Sequence, residues 1–185
     1  MNLPDLPYSL LVRLVPFFLL LLCTACQSTP DVFTPPYPRE PLNGMGAAHL
    51  GQFVQMSDAH VGGYIVRDIS PNLQSGAWRW GFKAPEMRFR LGKVDGLKVK
   101  VEYDIPESTL KNTGPVTLAI YANTSLVKKE VVNDAGRRQV EIPVAASLLF
   151  PNSVNTVSIE PDKTLRSPTD GGEYGVILFA AGFVR

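Results

Sequence analysis

The chain has 185 residues, 45 % of them hydrophobic and 19 % charged, with a formal net charge of +1. That balance excludes a partner captured through global charge, nucleic acid above all. Its only cysteines are Cys23 and Cys26, so the rest of the chain has no disulfide framework, no thiolate metal site and no cysteine nucleophile.

A leader with Arg13 as its single basic residue opens the chain, and Leu14 to Ala25 follows as a nearly unbroken apolar run. Twelve helical residues rise about 18 Å, whereas a bilayer core needs about 30 Å. The run is therefore predicted to be the hydrophobic part of a signal peptide over residues 1–25. Its end, Leu22-Cys23-Thr24-Ala25-Cys26, resembles the lipobox of bacterial lipoproteins, with a small residue directly before an obligatory cysteine. The resemblance implies that Cys26 is diacylated and begins the mature chain. It further implies a membrane anchor, with Gln27 pointing to the outer membrane. Ordinary secretion with cleavage near Ala25 is the alternative. Multiple acyl chains, at about 0.8 kcal/mol per buried methylene, hold a protein stably on a bilayer. Gln27 to Asn43 contains five prolines in seventeen residues, so residues 26–52 read as a lipidated cysteine and an extended tether.

Residues 53–185 read as the folded domain. Without disulfides it relies on its core, and roughly 130 residues suffice to bury about two thirds of the unfolded surface. Phe53 to Met56 and Gly62 to Ile69 are predicted strands, broken by Ser70-Pro71-Asn72. Trp78, Trp80 and Phe82 share one face of the next strand, opposite Arg79. Met87, Phe89 and Leu91 then share one face of a neighbouring strand, opposite Arg88 and Arg90. Lys93-Val94-Asp95-Gly96 is a turn signal. From Leu97 to Ile105 apolar residues alternate strictly with charged ones, as in a strand with one wet face. Pro106 ends it and a polar loop runs from Glu107 to Gly114. Further strands are predicted at Val116–Ala122, Leu126–Val132, Gln139–Val144 and Val154–Glu160. Ala145 to Phe150 reads as one helical turn and Thr164 to Glu173 as a long loop. Tyr174 to Val184 is apolar on both faces, which predicts a central strand covered on both sides. The sum is an all-β antiparallel β-sandwich, jelly-roll-like, of about nine or ten strands.

From about Tyr64 to Arg185 the sequence resembles the β-sandwich modules that accompany carbohydrate-active enzymes, especially those fused to bacterial glycosyltransferases. The resemblance rests on Trp78-Arg79-Trp80 and the hydrophobic strand after it, and on the hairpin from Leu118 to Val131. It ends on Val157-Ser-Ile-Glu160 and Tyr174-Gly-Val-Ile-Leu178. It implies a sandwich fold and carbohydrate binding. The middle turn, Asn123-Thr124-Ser125, and the pair Asp170-Gly171 depart from the pattern of those modules.

Catalytic constellations are hard to find. His49 and His60 read as surface residues, and the proximity of Ser57, Asp58 and His60 in sequence does not make a triad. Asp162, Asp170 and Glu173 lack the spacing of a calcium loop and read as solvated acids. No cofactor is implied. Trp78 and Trp80 pose the choice between a sugar-stacking surface and core. The apolar face of a strand normally packs inward, so core is the expectation. Between Arg79 and Lys100 seven basic residues stand against two acids, a local net charge of +5. Were Met87–Leu91 and Leu97–Val101 a hairpin, Arg90 would oppose Lys98 and Arg88 would oppose Lys100, and like charges across a pair destabilise. Either the strands are not partners, or Arg88, Arg90, Lys98 and Lys100 meet an anionic partner; a solvated positive face balanced by acids elsewhere is the plainer reading and the one expected. The expected protein is thus an envelope lipoprotein whose non-catalytic sandwich binds carbohydrate or an anionic envelope component. A subunit docking onto an envelope protein through a sheet edge is the alternative.

Overall fold

The computed structural model describes residues 49–185; the leader, Cys26 and residues 27–48 lie outside the described residues. In chain order the elements are β1 (Phe53–Gln55), β2 (Ile65–Ile69), β3 (Arg79–Leu91), β4 (Lys98–Asp104), α1 (Glu107–Thr113), β5 (Val116–Ala122) and β6 (Ser125–Val132). They are followed by β7 (Arg138–Pro143), β8 (Ser153–Pro161), β9 (Leu165–Arg166), β10 (Glu173–Tyr174) and β11 (Val176–Val184). Short 3-10 turns at Val61–Gly63 and Ala146–Leu148 complete the described part.

Hydrogen bonding runs β6-β5-β8-β3-β11-β4-β7, with β1 added to β11 and β2 to β3, and every pairing is antiparallel. The fold is therefore an all-β, jelly-roll-like sandwich. β3 joins its two sheets. Residues Arg79–Gly81 pair with β11, and Glu86–Leu91 pair with β8. Pro85 falls between these two ladders, where its missing N–H costs no pairing. Opposite the crossing, where residues 82–85 of β3 bulge out of the ladder between the pairs Arg67–Glu86 and Ile69–Gly81, β2 contributes only Asp68, whose φ of 55° lies in the left-handed region. The Asp68 carboxylate accepts a hydrogen bond from the Ala84 N–H at 3.0 Å, so the side chain replaces a ladder bond lost at the bulge. The predicted strand ending at Phe82 is not separate from the predicted Met87–Leu91: Arg79–Leu91 is one strand of thirteen residues, with Trp78 just ahead of it.

Alternation fills the core. Met87, Phe89 and Leu91 of β3 meet Val99, Val101 and Tyr103 of β4 and Val176, Leu178 and Phe183 of β11 in one buried cluster. Phe89 packs edge-on against Phe183 with centroids 5.8 Å apart, across the interior from one sheet to the other. A fully buried Phe contributes about 2–3 kcal/mol. β11 is central, between β4 on one edge and β3 and β1 on the other, as its apolar character predicts. Its outward face is only partly covered, since Ile177 and Phe179 remain half-buried. Leu50, before the first strand, is also part of the core.

The segment expected to be a polar loop, Glu107 to Gly114, is instead the helix α1. Its signals are local: Glu107 in the first turn, Lys111 paired with it at 2.8 Å, and Gly114 at the end with a φ of 73°. With seven residues and one buried position, Thr109, it is too short to show a periodic apolar face. Among the described residues no helix is long and apolar enough to cross a membrane.

Candidate functional site

The first half of β3 and the short β10 assemble an aromatic cluster outside the core. Trp80 pairs with Ile177 of β11, which turns its side chain to the outer face of that sheet. Arg79 pairs with the buried Leu178 and is directed the other way. Trp78 is held by a turn in which its N–H donates to the Gln74 carbonyl at 3.2 Å. Tyr174 returns to this place through the two-residue pairing of β9 with β10. The Gly175 N–H then donates to the Gly81 carbonyl at 2.9 Å and fixes β10 against β3. A methyl group at Gly175 would run into the Phe82 carbonyl and the Pro161 ring.

The ring geometry follows. Trp78 meets Trp80 edge-on at 5.2 Å and 89°. Trp80 lies 4.7 Å from Tyr174 at 57°, and Phe82 lies 5.7 Å from Tyr174 at 55°. All four are half-buried and none belongs to the buried core cluster. The expectation of core tryptophans is therefore corrected. The inward face at this end of β3 belongs to Arg79 and Gly81. Pro85 and Val176 crowd Gly81 so closely that no larger residue fits, which leaves the bulky alternates outside.

Polar groups border the cluster. The Tyr174 hydroxyl donates to Asp170 Oδ2 at 2.5 Å, and the Gly172 N–H donates to Asp170 Oδ1 at 3.0 Å. These two bonds, the hydroxyl first, hold the Asp170 carboxyl down at about 2. The same carboxylate raises the Tyr174 hydroxyl. On the other side Lys83 Nζ and Glu173 Oε2 pair at 2.7 Å, which lowers the Glu173 carboxyl and raises the Lys83 ammonium. Tyr174, Asp170, Lys83 and Glu173 were not legible as site residues. The one local hint was the turn chemistry of Asp170-Gly171-Gly172 two residues ahead of Tyr174.

Arg88, Arg90, Lys98 and Lys100 are not brought together. β3 pairs with β8 and β4 pairs with β7, and β11 stands between β3 and β4. Phe89 and Phe183 face each other across the core, so Arg88 and Arg90 point out from one sheet and Lys98 and Lys100 from the other. The repulsion feared for a hairpin does not arise. Arg88 Nε donates to the Gly63 carbonyl at 2.9 Å, Arg90 is exposed opposite Val154, Lys98 pairs with Glu141 at 3.3 Å and Lys100 with Glu102 at 3.4 Å. Arg79 faces the end of the sandwich and donates to the carbonyls of Met56, Ser70 and Pro71.

His49 and His60 are exposed. Asp58 accepts a hydrogen bond from the His60 backbone N–H at 2.7 Å, a local turn contact that leaves the imidazole out. Asp162 accepts from the Thr117 N–H at 2.7 Å, separate from Asp170 and Glu173. Among the described residues no group of three His, Cys, Asp or Glu is placed to hold a metal ion.

No family model matches the chain, and no curated protein matches it. Solved structures similar to it include a family GH115 4-O-methyl-α-glucuronidase with specificity for decorated arabinogalactans. That match has 12 % identity and a TM-score of 0.35, and covers 58 % of this chain and 14 % of the enzyme. An exo-β-1,3-galactanase from Phanerochaete chrysosporium, with β-1,3-galactotriose, matches at 8 % identity and a TM-score of 0.38, over 73 % of this chain and 29 % of that one. The CBM35 from Paenibacillus barcinonensis matches at 16 % identity and a TM-score of 0.34, over 74 % of this chain and 91 % of that one. The likeness is too loose to carry an inference about ligand or chemistry.

Proposed function

We propose that the domain is a non-catalytic carbohydrate-binding module, tethered to a bacterial outer membrane through a lipid on Cys26. The observation that carries the binding reading is the cluster Trp78–Trp80–Phe82–Tyr174, four aromatic side chains held outside the core on the face of a sheet. A pyranose ring has an apolar C–H face that stacks on aromatic rings, and hydroxyls that need polar partners at the rim. Asp170, Glu173 and Lys83 supply acceptors and a donor there. The test is retention of the full-length, detergent-solubilised chain on a glycan array, for the native sequence and for Trp80→Ala. Equal retention of the two would remove the aromatic cluster from any glycan site.

The anchor is supported by the apolar run ending in Ala25-Cys26 and by the proline-rich stretch after it. Metabolic labelling with a palmitate analogue should mark the native chain and not Cys26→Ser. An unlabelled, freely soluble periplasmic product would refute the anchor and leave the glycan reading standing.

A second reading, docking of an envelope protein along a sheet edge, is favoured by β6. It ends the hydrogen-bonded path, and it exposes Leu126 by 49 % and Val131 by 58 %. Crosslinking from position 131 in cells should then trap a discrete partner, which a glycan-only module would not yield.

A further inference from the structure

The outer face of β11 and its neighbours carries two sets of aromatic side chains, and they differ in what lies on the rings. Trp78, Trp80, Phe82 and Tyr174 contact one another. Phe179 and Phe53, farther along the same face, are each covered by a cation. The Arg137 guanidinium sits 4.2 Å from the Phe179 ring centroid, and Lys100 Nζ sits 5.5 Å from that of Phe53. Glu102 on β4 holds both cations, with Arg137 at 2.6 Å and Lys100 at 3.4 Å. Its carboxyl is lowered first by the hydrogen bond from Arg137.

Two consequences limit a ligand on this face. The first is angular. The three ring pairs in contact in the open set are inclined by 89°, 57° and 55°, so no two rings that touch present one plane. A flat polysaccharide chain needs coplanar rings along its length, whereas a notch of inclined rings receives one sugar. The second is positional. Phe179 follows Ile177, the β11 partner of Trp80, and is the next aromatic residue a chain would reach along β11. Arg137 occupies its face and is fixed there by Glu102.

Resting on the carbohydrate reading above, we infer that the aromatic site recognises the terminal sugar unit of a glycan. Arg137, held by Glu102 over Phe179, is the residue that stops the site from extending along the sheet. Arg137 and Glu102 are specificity-determining residues in this arrangement, since they set the length of glycan that gains contact and touch none of the four open rings.

The test is calorimetric titration of the full-length chain, in detergent, with glucose-, galactose- and xylose-based series from monosaccharide to hexasaccharide. In the native chain the affinity for the series that binds should change less than about threefold with length. In Arg137→Ala, which uncovers Phe179, the hexasaccharide should bind at least about tenfold more tightly than the disaccharide. Steep length dependence in the native chain, or identical length profiles for native and Arg137→Ala, would overturn the inference. Trp80→Ala separates the two levels. If it abolishes binding while native and Arg137→Ala profiles coincide, the carbohydrate reading stands and the boundary falls. If none of the series binds the native chain, both fall together.

Discussion

Trp80 of β3 and Tyr174 of β10 have ring centroids 4.7 Å apart, and the Tyr174 hydroxyl is tied to Asp170, so a loop near the end of the domain sets the outer face of a strand near its start. Because this contact lies outside the core, binding and stability should separate. Trp80→Ala is expected to lose glycan binding by at least about tenfold. It should cost about 1–2 kcal/mol of stability, in keeping with a half-buried ring. Phe89→Ala, inside the core, should cost about 3–5 kcal/mol. Urea unfolding of the two variants measures the contrast.

Asp170 gives the site an acid limit. Its folded carboxyl is held at about 2, below the ordinary aspartate value of about 3.9. A depressed carboxyl contributes stability that is fully present above the unfolded value and is lost as pH falls through the folded one. The Tyr174–Asp170 bond should therefore persist from neutral pH to about pH 4 and be lost on approach to pH 2. Tryptophan fluorescence, which reports the ring beside Tyr174, should change over that window. The Asp170→Asn variant should lack this step.

Arg79 is expected to behave as a structural residue. Its guanidinium donates to three backbone carbonyls, those of Met56, Ser70 and Pro71, at the end of the sandwich. Arg79→Met keeps the aliphatic stem and removes the donors, leaving those carbonyls without their partner. A loss of about 2–3 kcal/mol in denaturant unfolding is the expected outcome. Glycan binding at saturating folded protein should be retained.

Glu102→Gln releases both cations that cover Phe179 and Phe53. Arg137 is largely solvent-exposed and Lys100 mostly covered, with neither pair deeply buried, so the stability loss at neutral pH should be about 1 kcal/mol. The Glu102 carboxyl is lowered in the fold, so its contribution is present above the unfolded carboxylate value and disappears as pH falls below it. The gap between native and Glu102→Gln unfolding should thus close in acid. It should also shrink in high salt, which screens exposed charges.

The strands were legible in the sequence because period-two alternation is a local property. Val116–Ala122 and the run around Lys98–Asp104 show it residue by residue. Turn residues at Asn123 and Gly136 marked the chain reversals, both at positive φ. The sequence pattern also placed Trp78, Trp80 and Phe82 on one face, but it did not say which face was inside. That depended on Gly81 fitting against Pro85 and Val176, and on Arg79 reaching carbonyls of other segments. The fate of the basic run was likewise non-local, since β11 had to come between β3 and β4 to send Arg88 and Lys98 out from different sheets. Local alternation determined which residues form strands and which share a side. Only the tertiary pairing decided which side meets water, because burial is a property of what packs against a strand and not of the strand itself.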